Sequence, residues 1–441
     1  MHFSRHNIFS KLKDSDNYFI LNILTGNADI LDPDEGARVE KGEFLDRKQY
    51  IDKGYLIDEA EEEKLYRKAY LDFLDLSGSS EIQIFYVPDY SCNFRCSYCY
   101  QGEYTVSSDT ASGSNDVIDS FFSYIDAEFA GKKKYITIFG GEPLMAGKIP
   151  FERMEYMLKK ASERRLDCAI VTNGYNLEDY LPVFRNGKIR EIQVTLDGPE
   201  EIHDKRRPLA SGKGSFSRIV SGIDKALAEG YNINLRTVID RENIEYLPEL
   251  ASFAIKKGWT GNPLFKTQIG RNYELHTCHG GRGELLSRVE IYSIIYDLLI
   301  RHPEILEFHK PAFSVSRFLF ENGELPSPLF DSCPGCKTEW AFDFTGRIYS
   351  CTATVGKEGE ELGTFYPETK TDREKISQWE KRCVLSIPEC RDCALQLACG
   401  GGCASVAKNK TGKINSPDCR PVRELLEMGI SYYLNNSELE D

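Results

Sequence analysis

Three cysteines near residue 95 are the residues whose spacing points most directly to chemistry. Cys92, Cys96 and Cys99 have a C-x3-C-x2-C spacing and follow an apolar, strand-like run, Ile82–Val87. A loop at the C-terminal end of a strand is where α/β barrels place their reactive groups. Three thiolates on one loop can bind three irons of a cubane 4Fe–4S cluster and leave the fourth iron open. A zinc knuckle is the alternative, although zinc sites usually show paired C-x2-C units.

This loop resembles the signature of the radical S-adenosylmethionine (SAM) superfamily, including the aromatic Tyr98 just before its last cysteine. The resemblance implies an oxidoreductase in which Cys92, Cys96 and Cys99 are catalytic and bind the cluster. In that family the open iron binds the amino and carboxylate groups of SAM. One electron then cleaves SAM to a 5′-deoxyadenosyl radical, which abstracts hydrogen from the substrate. The protein's part is binding, orientation and shielding, because the cofactor supplies the difficult chemistry.

Polar residues at the ends of later predicted strands extend the resemblance. The run 140–143 resembles the family's GGEP motif, which contacts the methionyl amino group, and 172–174 resembles its TNG element. The run 195–207 resembles the SLDGP…HD…R run of the subgroup with a SPASM domain, with Thr195 in place of the usual Ser. The cofactor contacts implied are Tyr98, Gly140, Gly141, Glu142, Pro143, Thr172, Asn173, Thr195, Asp197, Arg236 and Asn243.

Each of these runs also has a plain structural interpretation. The glycine runs could be turns, and His203 and Arg207 could be a cap and a surface ion pair. Arg236 lies within an apolar predicted strand, where a charge needs a partner. That partner could be the SAM carboxylate or a buried carboxylate such as Glu142. Asn243 could contact the nucleoside end of SAM.

The C-terminal region is rich in cysteine, with nine of the chain's fourteen between 333 and 419. Their order resembles the SPASM motif, C-x9–15-G-x4-C, a gap, C-x2-C-x5-C-x3-C, a gap and C, with Gly346 as its glycine. The resemblance implies two auxiliary 4Fe–4S clusters, hence three in all. The distal ligands are Cys390, Cys393, Cys399 and Cys419, and the proximal ligands are Cys336, Cys351, Cys403 and Cys333.

Some cysteine assignments stay open at this stage. The tight Cys333–Cys336 spacing leaves the proximal cluster with either Cys333 or an open iron, and Cys278 or Cys383 could replace Cys333. Cys168 lies in a predicted strand and is expected to be a buried apolar residue. Tandem zinc ribbons are the alternative to auxiliary clusters.

The fold class predicted is α/β. Strand-like and helix-like runs alternate over residues 81–310, the pattern of a parallel barrel. Six candidate strands match the partial (β/α)6 barrel of the superfamily. Residues 1–80 contain a hairpin around Thr25-Gly26-Asn27 and helices, and resemble a winged-helix module that binds leader peptides; a barrel-capping extension is the alternative. Residues 311–441 are expected to form a linker, up to about 328, and the SPASM domain.

Charge and hydropathy narrow the partners and the compartment. The formal charge of −14 argues against nucleic acid and an anionic membrane. No apolar run approaches the ~18 residues of a transmembrane helix, and the N-terminus lacks a signal-peptide core. A cytoplasmic protein is therefore expected. In a reducing compartment fourteen cysteines indicate metal sites or redox chemistry more than disulfides.

The function expected is a peptide maturase that forms a thioether or carbon–carbon crosslink in a ribosomally made peptide with a leader sequence. A flavodoxin or ferredoxin would donate the electron. An anaerobic sulfatase maturase, which makes formylglycine, is the alternative. Its acidic base is expected directly after Cys351, where this chain has Thr352, so Asp343 or another carboxylate would have to replace it. A non-catalytic iron–sulfur or zinc scaffold that binds peptide is the alternative of another class.

Overall fold

The structure is a computed structural model that describes residues 1–103, 114–271 and 285–436. Its strands are β1 His2–Phe3, β2 Asn7–Lys11, β3 Tyr18–Asn22, β4 Asn27–Leu31, β5 Leu56–Ile57, β6 Ile82–Val87, β7 Lys134–Ile138, β8 Asp167–Thr172, β9 Lys188–Thr195, β10 Ile233–Ile239, β11 Phe265–Arg271, β12 Glu339–Asp343, β13 Arg347–Tyr349, β14 Gly363–Thr364 and β15 Lys370–Thr371. Its helices are α1 Pro33–Glu40, α2 Arg47–Asp52, α3 Glu59–Ser79, α4 Asn115–Glu128, α5 Lys148–Glu163, α6 Leu177–Phe184, α7 Glu200–Arg206, α8 Phe216–Ala228, α9 Leu247–Lys256, α10 Arg288–Arg301, α11 Ile305–Phe308, α12 Ser316–Asn322, α13 Arg373–Glu380, α14 Gln396–Cys399, α15 Ala404–Thr411 and α16 Val422–Asn436.

Six parallel strands form the centre of the molecule, in the order β11-β10-β9-β8-β7-β6. Each is followed by a connection on the face where α4, α5, α6 and α8 pack, and the largest core cluster fills the space between sheet and helices. Strand side chains alternate between the two faces. Ile84, Ile192 and Leu235 therefore point to the helices, whereas their neighbours point to the concave face. This confirms the predicted α/β class and the six barrel strands.

The sheet does not end at the barrel. β12 pairs in parallel with β6, with Ala341 opposite Phe85, and β13, β14 and β15 extend the same sheet by antiparallel pairing. The cysteine-rich region is thus joined to the strand that precedes the Cys92–Cys99 loop. The segment expected to be a linker, 311–328, contains α12, which packs against α16.

The first 80 residues form a separate layer. β2, β3 and β4 make an antiparallel sheet, and β1 pairs with β5. Helix α1 begins where expected, because the Asp32 side chain accepts a hydrogen bond from the Glu35 amide and Pro33 occupies the first turn. Helix α3 extends six residues beyond the predicted Phe73 to Ser79. The hairpin and helices are as predicted, and the winged-helix likeness stays a prediction.

The N-terminal layer rests on the cysteine-rich region through aromatic packing. The rings of Tyr66, Tyr70 and Phe73 on α3 lie 5.1–5.7 Å from the ring of Phe330. The Tyr66 hydroxyl also donates a 2.7 Å hydrogen bond to Gln396 Oε1. Among the residues that the structure covers, no helix combines the length and hydropathy needed to cross a membrane.

Candidate active site

The cysteine loop begins directly after β6 and is held against the segment that follows α7. The Arg95 amide donates to the Pro208 carbonyl at 2.9 Å, and the Ser97 amide donates to the Arg206 carbonyl at 3.1 Å. Phe94 and Leu209 form an isolated antiparallel bridge. The loop is therefore fixed on both sides, as residues that must present three thiols to one cluster need to be.

The structure brings the three thiols of the loop together. Desolvation raises the pKa of Cys92 to about 12, with further contributions from Glu142, Cys96 and Cys99. Desolvation also raises the pKa of Cys96 to about 11, against the nearby Arg207 cation. Both thiols therefore hold their protons in the metal-free protein at neutral pH. Because iron binds thiolates, assembly of a cluster here must release those protons.

The glycines of 140–143 let this run pass close to the cysteine loop. Gly141 has φ +51°, and a Cβ there would lie 2.3 Å from the Ser91 carbonyl oxygen. The Gly141 amide donates to Gln101 Oε1 at 2.8 Å, and the Glu142 amide donates to the Ser91 carbonyl at 2.9 Å. The run is therefore more than a turn, because it positions a carboxylate beside the cysteines. Pro143 follows Glu142 and makes no hydrogen bond that bears on the site.

The Glu142 carboxylate is buried and partly satisfied by the chain. Oε1 accepts from the Thr172 hydroxyl at 2.5 Å and from the Leu144 amide at 2.8 Å, and Oε2 accepts from the Asn173 amide at 2.6 Å. Desolvation raises the pKa of Glu142, whereas these hydrogen bonds lower it. A carboxylate has about four acceptor positions, so one on Oε2 is left for an ammonium group. Gly140, Gly141, Glu142, Thr172 and Asn173 are thus brought together as predicted.

Thr195 and Arg236 are neighbours on the concave face. They are paired in register between β9 and β10, and side chains of paired residues in parallel strands point to the same side. Among the described residues neither side chain has a hydrogen bond or ion pair, so the alternative Arg236–Glu142 pair is not formed there. A Cβ on Gly270 would lie 2.8 Å from an Arg236 guanidinium nitrogen, so this glycine makes room for it. A hydroxyl and a guanidinium side by side suit a carboxylate.

Tyr98 and Asp197 form a buried network behind the cysteine loop. The Tyr98 hydroxyl donates to Asp197 Oδ2 at 2.5 Å and accepts from Arg207 at 2.5 Å. Arg206 holds Asp240 through two hydrogen bonds of 2.7 and 2.9 Å, and its guanidinium lies 5.1 Å from the Tyr98 ring centroid. Burial raises the pKa of Tyr98 well above its usual value, so the hydroxyl stays protonated. Tyr98 and Asp197 here position the loop.

Other predicted residues of this region are also engaged inside the protein. The buried Asn243 donates to the carbonyls of Asp197 and Val238 and accepts from the Asp240 amide. His203 Nδ1 accepts from the Asp197 amide at 3.2 Å, which agrees with the structural interpretation of His203. Arg207 is buried against Tyr98, so the expected surface ion pair is wrong for it.

Gln101 is a site residue that the sequence did not reveal. Its Oε1 accepts from the Gly141 amide, and its buried Nε2 has no hydrogen-bond partner. An unpaired buried amide beside Gly140 and Gly141 is consistent with a ligand that would complete it. Only its position two residues after Cys99 could have drawn attention to it.

The cysteine-rich region contains two further groups of thiols. Cys390, Cys393, Cys399 and Cys419 raise one another's pKa after burial, which brings the pKa of Cys390 to about 11. Cys336, Cys351 and Cys333 form a second group in which burial and the neighbouring thiols raise the pKa values. The Ala404 amide, next to Cys403, hydrogen bonds to the Cys333 thiol, so Cys403 belongs beside this group. These are the two ligand sets predicted.

The remaining cysteines differ in their surroundings. Cys168 is fully buried in β8, as predicted. Cys383 lies beside Tyr70 and hydrogen bonds with it. Cys278 lies outside the described residues. The glycine of the motif is required where it stands, because a Cβ on Gly346 would lie 2.4 Å from the Tyr366 carbonyl oxygen.

One buried arginine connects the loops of the two auxiliary groups. Arg382 Nε donates to the Ile414 carbonyl, and its terminal nitrogens donate to the carbonyls of Gly401, Gly402 and Ser416. It also contacts Asp331 Oδ1 at 3.3 Å. These residues lie beside Cys399, Cys403, Cys419 and Cys333 in sequence. Arg382 therefore fixes the relative positions of both ligand sets.

A tetrahedral zinc ion and a cubane make different demands on such cysteines. Among the described residues no three Cys, His, Asp or Glu side chains are grouped as the ligands of one metal ion. A cubane instead takes one thiolate at each of several irons, so its ligands stand farther apart. The donor sets, all of thiols, fit iron–sulfur clusters.

Comparison with known proteins gives the family. Residues 86–254 match the radical SAM superfamily. The serine-type anaerobic sulfatase-maturating enzyme of Bacteroides thetaiotaomicron is 26% identical over 336 residues, which cover 71% of this chain and 80% of that protein. Among solved structures, anSMEcpe with bound AdoMet and Cp18Cys peptide has a TM-score of 0.62 at 18% identity and covers 82% of this chain and 100% of that chain. Streptococcus suis SuiB bound to precursor peptide SuiA has a TM-score of 0.52 at 14% identity, with 96% and 99% covered.

The fold and the cysteine loop therefore define a radical SAM protein. The chain belongs to the radical SAM superfamily and is an enzyme, and the family implies one 4Fe–4S cluster with SAM. The enzymatic prediction is confirmed over the alternative of a non-catalytic scaffold.

Proposed function

We propose that this enzyme modifies a ribosomally made peptide by radical chemistry and closes a thioether or carbon–carbon crosslink in it. The observation that carries the proposal is the joining of two parts in one sheet. β12, which follows Cys333 and Cys336, pairs with β6, which leads into the Cys92–Cys99 loop. A cysteine-rich domain fused to the mouth of a radical SAM barrel belongs, in the relatives above, to enzymes whose names and bound ligands include maturation and peptides.

The residues of the barrel mouth would bind and orient SAM. Glu142 would accept from its ammonium group, and Thr195 with Arg236 would hold its carboxylate. Gly140 and Gly141 would let the backbone approach it, while Gln101 would complete its unpaired amide. When bound, the cluster supplies the electron that cleaves SAM. The buried Tyr98–Asp197–Arg207 network would keep the cysteine loop in place and keep water from its rear side.

The cysteine-rich domain would hold two auxiliary clusters. Cys390, Cys393, Cys399 and Cys419 would bind the distal one, and Cys333, Cys336, Cys351 and Cys403 the proximal one. The grouping of the thiols in the structure supports this division. The domains proposed are 1–80 for peptide recognition, 81–310 for the barrel and 311–441 for the cysteine-rich domain. The electron donor proposed is a flavodoxin or ferredoxin.

An anaerobic sulfatase maturase is the second candidate, and the Bacteroides relative favours it. The position after Cys351 is Thr352, which cannot act as a carboxylate base. Asp343 is a poor replacement, because it is buried and accepts from the hydroxyls of Tyr90, Tyr349 and Thr345. Glu339 is a better one. Its Oε1 accepts from the Thr352 amide at 2.8 Å, and burial raises its pKa.

Incubation with SAM, a reductant and candidate peptides would decide between these functions. The candidates are the short peptides encoded beside the gene and a sulfatase peptide with a Cys or Ser at the site of modification. Crosslinking predicts a loss of two hydrogens per bond in a neighbouring peptide, which mass spectrometry detects. Formylglycine in the sulfatase peptide, with no change in the neighbouring peptides, would support the second candidate instead.

A further inference from the structure

A second cavity lies on the opposite side of the sheet from the proposed SAM site. It has a volume of about 400 Å³ and is bounded by the ends of β10 and β11, by α10, by the segment before α12 and by the start of α16. Ile239 and Arg271, which are paired in register, line it. Arg236 is three residues before Ile239 and points to the concave face, because strand side chains alternate. The cavity is therefore separate from the barrel interior.

Three arginines line this cavity, and none of its described lining residues is acidic. Arg288 donates to Asp418 at 2.9 Å and to the Cys419 carbonyl at 3.3 Å, so it is fixed in place. The side chain of Arg420 has no hydrogen bond or ion pair within the described part of the chain. Arg271, at the end of β11, is the third. In a chain with a net charge of −14, such a group of cations is a local reversal.

Tyr292 reports the sign of the field in the cavity. Burial raises its pKa, and four arginines, at 271, 288, 317 and 420, each lower it, with no carboxylate among the causes. His309 faces the same space, and burial, helped by Arg317, lowers its pKa to about 4. This histidine is neutral at pH 7, so the positive field comes from the arginines alone.

The remaining walls are apolar, with Ile269, Ile291, Ile295 and Leu425 among them. We propose that this cavity binds a carboxylate attached to an apolar body, with Arg420 and Arg271 holding the carboxylate and the isoleucine walls holding the body. The volume suits a small ligand or one or two residues of a peptide. A guanidinium fork binds a carboxylate through two parallel hydrogen bonds, which gives such a site its selectivity for the charge.

Binding of matched probes to the anaerobically reconstituted enzyme tests this proposal. The probes are N-acetyl-L-phenylalanine, its C-terminal amide, and 3-phenylpropanoate, followed by calorimetry. We expect saturable binding of the acid and at least ~10-fold weaker binding of the amide, the effect of losing one charged hydrogen-bond pair. Equal binding of 3-phenylpropanoate would identify free organic acids as the source of the carboxylate. A preference for the N-acetyl amino acid would indicate a peptide end.

Variants tie the binding to the cavity. Arg420→Gln and Arg271→Gln should each weaken the acid by roughly 10-fold and leave the amide unchanged. Ala312→Phe, which fills the cavity from its wall, should abolish binding of both. Arg423→Gln, an exposed neighbour on α16 outside the cavity, is the matched control. Iron counts identify any variant whose clusters are disturbed, and Arg271 and Ala312 are distant in sequence from every cluster cysteine. Equal affinities for acid and amide, unchanged binding in Ala312→Phe, or no binding at millimolar concentration would overturn the proposal.

Discussion

At the scale of single residues, the site depends on a few side chains whose hydrogen bonds are already made and a few whose bonds are not. Glu142 has three of its acceptor positions filled by the chain, which fixes the direction of the one that is left. Thr195 and Arg236 lie side by side with no partner among the described residues. This contrast separates residues that position the site from residues available to a ligand.

Arg236→Gln should weaken SAM binding by about 10- to 100-fold, because a charged hydrogen bond contributes roughly 1.5–3 kcal/mol. Thr195→Val should weaken it by up to about 10-fold, as expected for a neutral one. Equilibrium binding of SAM to the reconstituted enzyme measures both. Arg190→Gln is the control, since Arg190 is an exposed arginine paired with Glu81 at the other end of β9. Wild-type affinity in Arg236→Gln would show that this side chain does not contact SAM.

The sequence predicted these residues because each motif is short and local. It did not predict the network behind them, since its contacts join distant positions. Tyr98 meets Arg207 across 109 residues, and Arg206 meets Asp240 across 34. The same limit explains why Arg207 was expected at the surface. The charges of 206 and 207 suggest solvent, whereas the buried carboxylates of Asp197 and Asp240 receive Arg206, and the Tyr98 hydroxyl receives Arg207.

At the scale of elements, Arg382 joins loops that have no regular structure of their own. Its donors reach four carbonyl groups and Asp331, all within segments that lead to cluster cysteines. Lysine has the same charge but lacks the planar fork of donors. Arg382→Lys should therefore leave several buried carbonyls unpaired.

We expect Arg382→Lys to destabilise the protein by about 3 kcal/mol or more, in the range for breaking a buried charged network. It should also reduce the iron bound in the auxiliary sites while the radical SAM cluster keeps its spectrum. Thermal unfolding, iron analysis and electron paramagnetic resonance would measure these effects. Arg373→Lys, an exposed arginine that pairs with Glu128, should change none of them. Full iron content and unchanged stability in Arg382→Lys would show that Arg382 does not position the ligand loops.

The bounds of the barrel elements were predictable, because apolar strands alternate with amphipathic helices. β8 and α8 have the predicted bounds, 167–172 and 216–228. The pairing of β12 with β6 was not predictable, since it joins residues about 250 positions apart and depends on the sheet being open at that edge. The short helix α12 was also missed, because its seven residues are flanked by prolines that suggested a linker.

At the scale of the whole molecule, the N-terminal layer is coupled to the cysteine-rich region through His6 and Tyr66. The two rings stack with centroids 5.1 Å apart, and Tyr66 in turn contacts Gln396 and Phe330. Burial lowers the pKa of His6 to about 4 from 6.5. Its neutral form is thus built into this junction.

This burial makes the junction sensitive to acid. Between pH 6.5 and 4 the unfolded chain protonates His6 while the folded protein does not, so the stabilisation is complete above pH 6.5 and is lost as the pH falls to 4. At pH 5 the loss amounts to about 2 kcal/mol. His6→Phe, which keeps the stacked ring, should remove this part of the pH dependence in urea unfolding. His302→Phe, at an exposed histidine, should retain it. The same pH dependence in wild type and His6→Phe would refute the assignment.

The central claim is that the Cys92–Cys99 loop holds a radical SAM cluster and that two more clusters lie in the C-terminal domain. Iron and sulfide analysis of the anaerobically reconstituted enzyme tests it most directly, beside a variant with Cys92, Cys96 and Cys99 changed to Ala. At four irons per cluster, we predict about twelve irons per chain in the wild type and about eight in the variant. Zinc in place of iron, or an equal iron count in both proteins, would contradict the claim.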